Sequence, residues 1–319
     1  MTKKKIKKKK IKKKIKKAKS SKIEKKQLEI RKPNLGDEKI TIKKIQSWKN
    51  SKSFCAITAY DFSSAKLINE TNIPIVLVGD SASMMVYGYD TTIPIDINEM
   101  LFVIKAVCRG INKALVVADM PFMSYQISIE ECLKNAGILI KSGGANAVKI
   151  EGGKEFTQHI SKLVECGIPV MGHIGLMPQS VNKTSGYKVQ GKTYESAKKL
   201  IDDAMAIQDA GVFSIVLEGV PEELSKIISE KVNVPTIGIG AGKFCDGQIQ
   251  VFHDVLGLIE NFVPKHSKQF VLLANEIKNG LNQYNDEVQK MTFPESKHSS
   301  HLDQSVTEQL TKDESSQNN

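Results

Sequence analysis

Short apolar runs rich in Val and Ile recur along the chain from about residue 54, and helical patterns lie between them. The runs lack polar alternation, which is typical of parallel strands buried on both faces. They lie at residues 54–59, 75–79, 114–118, 147–150, 168–172, 213–217, 234–239 and, less distinctly, 249–253. Eight strands alternating with helices over about 250 residues predict a (β/α)8 TIM barrel. A doubly wound open sheet is the competing architecture.

The helical segments carry recognisable terminal signals. Asp96 with Glu99, and Ser128 with Glu131, have the spacing of a capping box, in which two side chains satisfy the first backbone amides. Further helices are predicted at residues 193–210 and 221–231, from about 266 to 289, and at 40–49, where a helix would close the bottom of the barrel.

The positive charge of the chain is concentrated at its N-terminus. The formal net charge is +11, but residues 1–26 hold 16 of the 46 basic residues and one of the 35 acidic ones, so the remainder is slightly acidic. A Lys-rich arm that cannot bury apolar surface is predicted to be disordered. We therefore predict three regions: a disordered arm at 1–32, a catalytic barrel at 33–294 and a disordered polar tail at 295–319. A tether to nucleic acid or to an anionic surface is the less favoured interpretation of the arm.

Sequence features that mark secreted or membrane proteins are missing. The basic arm is not followed by the apolar core of a secretory signal, and no stretch approaches 18 consecutive apolar residues. The five cysteines are widely spaced, which predicts reduced thiols in or near the core. These features predict a cytoplasmic protein without a membrane partner.

Ionisable residues follow the predicted strands. In a parallel barrel all strands end on one face, where active sites are built. The residues found there are Asp61, Asp80 with Ser81, Asp119, Lys149 with Glu151, His173 and Glu218. Each acid could instead cap the next helix. Six consecutive strands that each end in an ionisable group nevertheless predict a catalytic site.

Three of these acids form a candidate metal site. Carboxylates that converge repel one another unless a hard cation such as Mg²⁺ binds between them, and we predict Asp80, Asp119 and Glu151 as its ligands. Lys149 lies two residues before Glu151 and points the same way, so it could form an ion pair or bind a substrate carboxylate. His173 is either a hydrogen-bonded core residue or an auxiliary catalytic group. Residues 174–192 lack a clear pattern and are predicted to form a lid or binding loop.

Many short sequence words across residues 38–294 resemble the ketopantoate hydroxymethyltransferase family. The matching words are Thr58-Ala59-Tyr60-Asp61, Val78-Gly79-Asp80-Ser81, Ala118-Asp119-Met120-Pro121-Phe122, Lys149-Ile150-Glu151-Gly152-Gly153, Gly172-His173-Ile174-Gly175-Leu176, Pro178-Gln179-Ser180-Val181-Asn182, Gly186-Tyr187-Lys188-Val189-Gln190-Gly191, Leu217-Glu218-Gly219-Val220-Pro221, Ile237-Gly238-Ile239-Gly240-Ala241-Gly242 and Cys245-Asp246-Gly247-Gln248. They occur in the order that the family has.

The resemblance implies a TIM barrel that transfers a hydroxymethyl group from 5,10-methylenetetrahydrofolate to C3 of 3-methyl-2-oxobutanoate. It further implies one Mg²⁺ per subunit at Asp80, Asp119 and Glu151, and a homodecamer. Contacts with the oxo acid are implied for Asp80, Ser81, Asp119 and Lys149, and Glu218 is implied as the proton acceptor. The enolate formed by proton removal would be stabilised by the metal and would attack the folate methylene carbon.

The chain departs from the family's usual residues at four positions near these words, and around Phe102–Lys105 it lacks the family's usual Tyr-His pair. The family usually has Gly where Ser83, Met123 and Ser185 stand, and Thr where Met177 stands. None of them is a proposed metal or proton-transfer position, so the expected reaction is unchanged.

Two other function classes remain open from the sequence. A phosphoenolpyruvate mutase or isocitrate lyase-like enzyme would also use Mg²⁺ and an oxo acid enolate, although the Lys-Lys-Cys-Gly-His word of isocitrate lyases is absent. A non-enzymatic RNA-binding protein would act through the arm, and the confinement of the positive charge to residues 1–26 argues against it.

Overall fold

A computed structural model of the 319-residue chain describes residues 39–260 and 263–317. Eight parallel strands close into a barrel in sequential order, each paired with its neighbours and β8 with β1. The strands are β1 Phe54–Thr58, β2 Ile75–Val78, β3 Leu115–Asp119, β4 Ala147–Glu151, β5 Val170–Gly175, β6 Ser214–Glu218, β7 Thr236–Ile239 and β8 Gly247–Gln250. The predicted TIM barrel is therefore confirmed, and the open sheet is wrong.

Helices lie between the strands and beyond them. They are α1 Ile42–Gln46, α2 Phe62–Asn69, α3 Ala82–Met85, α4 Ile97–Gly110, α5 Ile129–Lys141, α6 Thr157–Glu165, α7 Val181–Thr184, α8 Tyr194–Asp209, α9 Glu222–Lys231, α10 Phe252–Val255, α11 Leu273–Gln289 and α12 Gln304–Gln317. Three 3-10 turns occur at Lys154–Phe156, Pro178–Ser180 and Ser296–His298. The predicted capping box at the start of α4 is present, since the Asp96 carboxylate accepts from the Glu99 amide and the Glu99 carboxylate accepts from the Asp96 amide.

The eighth strand lies earlier than the sequence predicted. It spans Gly247–Gln250 and not 249–253, and residues from Phe252 onward form the short helix α10. The Phe252 amide does not continue the hydrogen bonding between strands and instead donates to the Thr58 hydroxyl oxygen at 2.9 Å. A short apolar run cannot by itself distinguish a strand from a helix, which explains the error.

Two apolar layers hold the barrel together. Alternate strand residues such as Leu77, Val117 and Met171 fill the interior, while their neighbours pack outward against the helices. Ile45 and Trp48, in and just after α1, are buried in the interior cluster. The N-terminal helix thus closes the bottom of the barrel, as predicted, although it is shorter than residues 40–49.

Asp246 fastens this N-terminal segment to the barrel. Its carboxylate lies 3.0 Å from Lys49 Nζ and accepts from the backbone amides of Asn50 at 2.9 Å and Thr236 at 2.8 Å. The Asp246-Gly247 word therefore has a structural role at the end opposite the carboxyl ends of the strands.

The segments outside the barrel differ from the prediction in part. The Lys-rich arm at 1–32 lies outside the described residues. Residues 294–312 are all exposed, but the tail predicted to be disordered includes the helix α12. Cys132 and Cys245 are buried, whereas Cys55 and Cys166 are exposed, so the placement of every thiol near the core was wrong. Across residues 39–260 and 263–317, no helix is long and apolar enough to span a membrane.

Candidate active site

One cavity of about 360 Å³ at the carboxyl ends of the strands is lined by all the residues predicted to bind metal, bind substrate or take part in catalysis. Those residues are Asp80, Ser81, Asp119, Lys149, Glu151, His173 and Glu218. Asp119, Glu151 and Glu218 are the last residues of β3, β4 and β6. Parallel strands of similar length and register therefore bring together groups that are far apart in sequence.

The carboxylates of the cluster do not cap the helices that follow their own strands. The Asp119 carboxylate accepts from the Asp80 amide at 3.0 Å, and Glu151 accepts from the Gln179 amide at 3.1 Å. Asp61 behaves differently, because its carboxylate accepts from the Ser64 amide at 2.9 Å as the N-cap of α2. The capping interpretation thus holds for Asp61 and not for the three candidate metal ligands.

Lys149 lies at the centre of the cluster. Its ammonium is 2.9 Å from Asp119 Oδ1 and 3.9 Å from Glu151 Oε1, and the side chain is almost fully buried. Burial lowers the pKa of Lys149, but the carboxylates of Asp119, Glu151 and Asp80 outweigh it and the pKa is raised. The surrounding carboxylates therefore favour the charged form of Lys149 inside the cavity.

His173 connects the two sides of the cluster. Its Nδ1 lies 3.1 Å from Lys149 Nζ and 3.4 Å from Glu151 Oε1, and its Nε2 lies 3.3 Å from Glu218 Oε2. Burial and the Lys149 charge lower the pKa of His173, but the carboxylates of Glu151 and Glu218 raise it to about 9. One carboxylate thus lies close to each ring nitrogen, although Nε2 makes no hydrogen bond with the described residues.

The acidic groups differ in their electrostatic surroundings. Burial raises the pKa of Asp80 well above its usual value, and repulsion by Asp119 and Glu151 raises it further. Burial also raises the pKa of Asp119, although Lys149 opposes this. For Glu151, burial is outweighed by His173 and Lys149, and its pKa is lowered. The repulsion is therefore concentrated at Asp80.

Gln179 is a site residue that the sequence analysis did not single out. Its side-chain amide donates to Asp80 Oδ2 at 2.8 Å and to the Met120 carbonyl at 2.9 Å, in addition to the backbone bond to Glu151. Its carboxamide oxygen lies 3.0 Å from the hydroxyl of Tyr125, which is also buried. One side chain thus links two candidate metal ligands. The only sequence signal was its place in the word Pro178-Gln179-Ser180.

The acidic cluster has the composition of a site for a hard cation. Four carboxylates surround one lysine and one histidine. Apart from their contacts with Lys149 and His173, Asp119 Oδ1 and Glu151 Oε1 accept no hydrogen bond from the described residues. Oxygen ligands with excess negative charge suit Mg²⁺. Among those same residues, however, no three His, Cys, Asp or Glu side chains already converge on one point.

The predicted lid has more structure than the sequence indicated. β5 continues to Gly175, and the 3-10 turn Pro178–Ser180 and the helix α7 follow it. Tyr187 lines the cavity from this segment, and its pKa is raised by burial and by the charges of Asp80, Glu218 and Glu151. The segment thus extends over the acidic end of the cavity.

Backbone geometry explains why Gly is the usual residue at two of the four positions where this chain departs from the family. Met123 and Ser185 have φ of 63° and 53°, in the left-handed region where Gly is favoured. Ser83 is buried and donates to the Thr91 carbonyl at 2.7 Å. Nothing in the structure explains Met177, which precedes the 3-10 turn.

Comparison with known proteins gives a consistent result. A sequence profile described as ketopantoate hydroxymethyltransferase matches residues 39–296. The 3-methyl-2-oxobutanoate hydroxymethyltransferase of Dehalococcoides mccartyi strain CBDB1 is 50% identical over 275 residues, which covers 86% of this chain and 99% of that protein. The protein of the same name from Clostridium botulinum strain Langeland is 52% identical over 271 residues, covering 85% and 98%.

Solved structures share the barrel at much lower identity. The phosphoenolpyruvate phosphomutase of Streptomyces platensis subsp. rosaceus has a TM-score of 0.54 at 12% identity, covering 87% of this chain and 97% of that one. A phosphonopyruvate hydrolase structure with oxalate and Mg²⁺ has a TM-score of 0.53 at 12% identity, covering 86% and 96%. These likenesses concern the fold alone.

Proposed function

The chain belongs to the ketopantoate hydroxymethyltransferase family and is a hydroxymethyl transferase, and we propose that 5,10-methylenetetrahydrofolate is its one-carbon donor. The acceptor would be C3 of 3-methyl-2-oxobutanoate, and water would supply the hydroxyl oxygen. The products would be 2-dehydropantoate (ketopantoate) and tetrahydrofolate, as the first step of pantothenate biosynthesis. The cluster of four carboxylates, one lysine and one histidine inside the cavity is the observation that carries this proposal. Such groups can remove a proton beside a keto group and neutralise the charge that develops.

We propose that Asp80, Asp119 and Glu151 hold one Mg²⁺ per subunit. The excess of carboxylates supports this assignment, as do the buried oxygens Asp119 Oδ1 and Glu151 Oε1, whose close polar contacts are with Lys149 and His173. When bound, Mg²⁺ would supply the positive charge that stabilises the enolate oxygen of the oxo acid. The binding would also relieve the repulsion that raises the pKa of Asp80.

The substrate carboxylate would lie against Lys149 and Ser81. Lys149 is buried and positively charged, which suits a small anion that has left water. The Ser81 hydroxyl oxygen lies 2.8 Å from the Tyr60 hydroxyl oxygen, so the orientation of Ser81 is fixed before substrate binds. Asp80 and Asp119 complete the proposed set of contacts with the oxo acid.

Glu218 is our proposed base for proton removal from C3. It is the most accessible carboxylate of the cluster, with 19% of its side chain exposed to the cavity, and it lies on β6, away from the proposed metal ligands. His173 Nε2, 3.3 Å from Glu218 Oε2, would hold the carboxylate in position. His173 is accordingly a positioning group in this scheme.

The assembly and location of the protein stay predictions. The helix α11 has no buried residue and exposes Ile277, Leu281 and Tyr284, which supports a homo-oligomer. We propose the homodecamer that the family resemblance implies, and light scattering after size exclusion would measure it. A cytoplasmic location and the absence of nucleic-acid binding by the arm are unchanged expectations.

Product analysis tests the proposed reaction directly. The purified protein is incubated with 3-methyl-2-oxobutanoate, 5,10-methylenetetrahydrofolate and Mg²⁺, and ketopantoate is measured by mass spectrometry. We expect ketopantoate formation that chelation of Mg²⁺ abolishes. Absence of the product from the wild-type protein would refute the proposed substrates.

Solvent exchange isolates the proton-removal step. With Mg²⁺ and the oxo acid alone, the wild-type protein should exchange the C3 hydrogen for deuterium, which proton NMR in D₂O follows. Glu218→Gln keeps the side-chain shape but cannot accept the proton, so exchange should fall by about 100-fold or more. Wild-type exchange in this variant would make His173 the next candidate base.

A further inference from the structure

The cavity has a second wall that the proton-transfer cluster does not use. Beyond the acidic groups it is lined by the apolar side chains of Met84, Met85, Ile249, Val251, Ile259 and Pro264, together with polar residues that include Thr92, Gln250 and His266. Cavities of roughly 300–1,000 Å³ hold drug-sized ligands. A cavity of about 360 Å³ therefore leaves room beside a small oxo acid for part of a second substrate.

One charged group interrupts this apolar wall. Asp254, on α10 just beyond β8, lines the cavity and is only 9% exposed. Its carboxylate makes no hydrogen bond or ion pair with any side chain in the described parts of the chain, and burial raises its pKa although His266 opposes this. Asp254 is not among the residues whose side-chain oxygens are completely buried without a partner, so its carboxylate is accessible from the cavity and can accept hydrogen bonds from a ligand there.

A purely structural role for Asp254, as a residue that stabilises the helix α10, is poorly supported. An acid in the first turn of a helix is favoured by the helix dipole. However, α10 has four residues and its dipole is correspondingly small. Stabilisation of α10 therefore does not account for a carboxylate placed in an apolar cavity wall.

We propose that the apolar wall around Asp254 binds the pterin ring of the folate donor, and that the Asp254 carboxylate accepts hydrogen bonds from the ring's 2-amino and N3–H groups. This inference rests on the proposed function, in which a folate supplies the one-carbon unit. Two neighbouring donors on a flat ring match the two oxygens of a carboxylate, as in a bidentate ion pair. The apolar side chains would cover the ring.

The same orientation would serve the reaction. The one-carbon unit bridges N5 and N10 of the donor, and N5 lies on the side of the pterin ring away from the 2-amino edge. A ring held at Asp254 would therefore direct its one-carbon unit toward the acidic end of the cavity, where Glu218 would generate the enolate. Asp254 is a binding residue for the donor and takes no part in proton removal.

Asp254→Asn tests this assignment with little change in shape. The amide presents a donor to the pterin's donors, so the KM for 5,10-methylenetetrahydrofolate should rise about 10–100-fold, as expected for loss of a hydrogen bond to a charged group. The KM for the oxo acid and the folate-independent exchange of the C3 hydrogen should stay within twofold of wild type. Glu260→Gln, which removes the same charge from an exposed residue paired with Lys278, is the matched control.

A chemically altered donor distinguishes specific recognition of the pterin's 2-amino edge from a general disturbance of the site by the substitution. A 2-desamino folate derivative should bind the wild type about as weakly as the natural donor binds Asp254→Asn. Its affinity should fall little further when it is tested with the variant. The proposal would be overturned if removal of the 2-amino group and the Asp254→Asn substitution reduced donor affinity additively. It would also be overturned if the donor KM of Asp254→Asn stayed within threefold of wild type. Loss of C3 exchange in the variant would also overturn it, because Asp254 would then support the whole site. If the wild type exchanges C3 but makes no ketopantoate with the folate donor, the proposed function itself fails.

Discussion

Replacing Gln179 with Met should weaken Mg²⁺ binding without touching any proposed ligand. The two side chains have similar length, but Met cannot donate to Asp80 Oδ2 or to the Met120 carbonyl, which the Gln179 amide contacts at 2.8 and 2.9 Å. Loss of a hydrogen bond to a charged group costs about 1.5–3 kcal/mol. Groups that orient metal ligands typically change metal affinity about 10–100-fold when they are replaced, and we expect a change in this range.

The effect should be partial because one contact of Gln179 survives the substitution. Its backbone amide donates to Glu151 Oε2 at 3.1 Å and does not depend on the side chain. Isothermal titration of Mg²⁺ in the presence of the oxo acid gives the affinity directly. Gln126→Met is the matched control, since Gln126 donates only to the Gln179 carboxamide oxygen, at 3.3 Å, and reaches neither carboxylate. It should change the affinity less than about threefold.

An unchanged Mg²⁺ affinity in Gln179→Met would refute this reasoning. Either Asp80 would not be a ligand, or its orientation would not depend on Gln179. Measuring Asp80→Ala beside it separates the two cases, because a ligand's own removal must weaken binding.

Three further outcomes are expected. Asp80→Ala, Asp119→Ala and Glu151→Ala should each raise the Mg²⁺ midpoint for activity, and a variant with an unchanged midpoint leaves the proposed ligand set. Deletion of residues 1–30 should alter turnover at saturating substrate by less than about tenfold, or about 1.4 kcal/mol of barrier, and a larger loss would give the arm a catalytic or assembly role. Because the pKa of His173 is raised to about 9, its protonated form stabilises the metal-free fold fully below about pH 6.5. That contribution is lost as the pH rises through 9, so thermal unfolding of His173→Gln should show a flatter profile over this window.

The barrel was predictable because its strands have a local sequence signature. Val- and Ile-rich runs without polar alternation are typical of parallel strands that are covered on both faces, and eight of them alternate here with helical patterns. The strand ends were less predictable, since Asp119, Glu151 and Glu218 belong to the strands and not to the loops after them. β8 was predicted too late in the sequence because its first residues, Gly247 and Gln248, are not apolar. The residues of the following helix include the apolar Phe252 and Val255, which resemble the continuation of a buried strand.

The contacts inside the site could not be predicted from the pattern of the chain. Gln179 contacts Asp80, which is 99 residues away in sequence, and the bond exists only because β2 and the segment after β5 meet across the barrel mouth. Asp254 was overlooked for a related reason. Its neighbourhood was interpreted as a strand, and an acid near the end of an apolar run has no distinctive spacing.

The departures at Met123 and Ser185 illustrate how a substitution can matter for the backbone and not for the chemistry. Both residues have positive φ, where a side chain costs roughly 1 kcal/mol or more relative to Gly. The residues that surround the cluster are instead fixed by buried hydrogen bonds, such as the one between Tyr60 and Ser81. Strain at Met123 and Ser185 therefore falls on the loops after β3 and β5, where it would affect loop position before it affected proton removal.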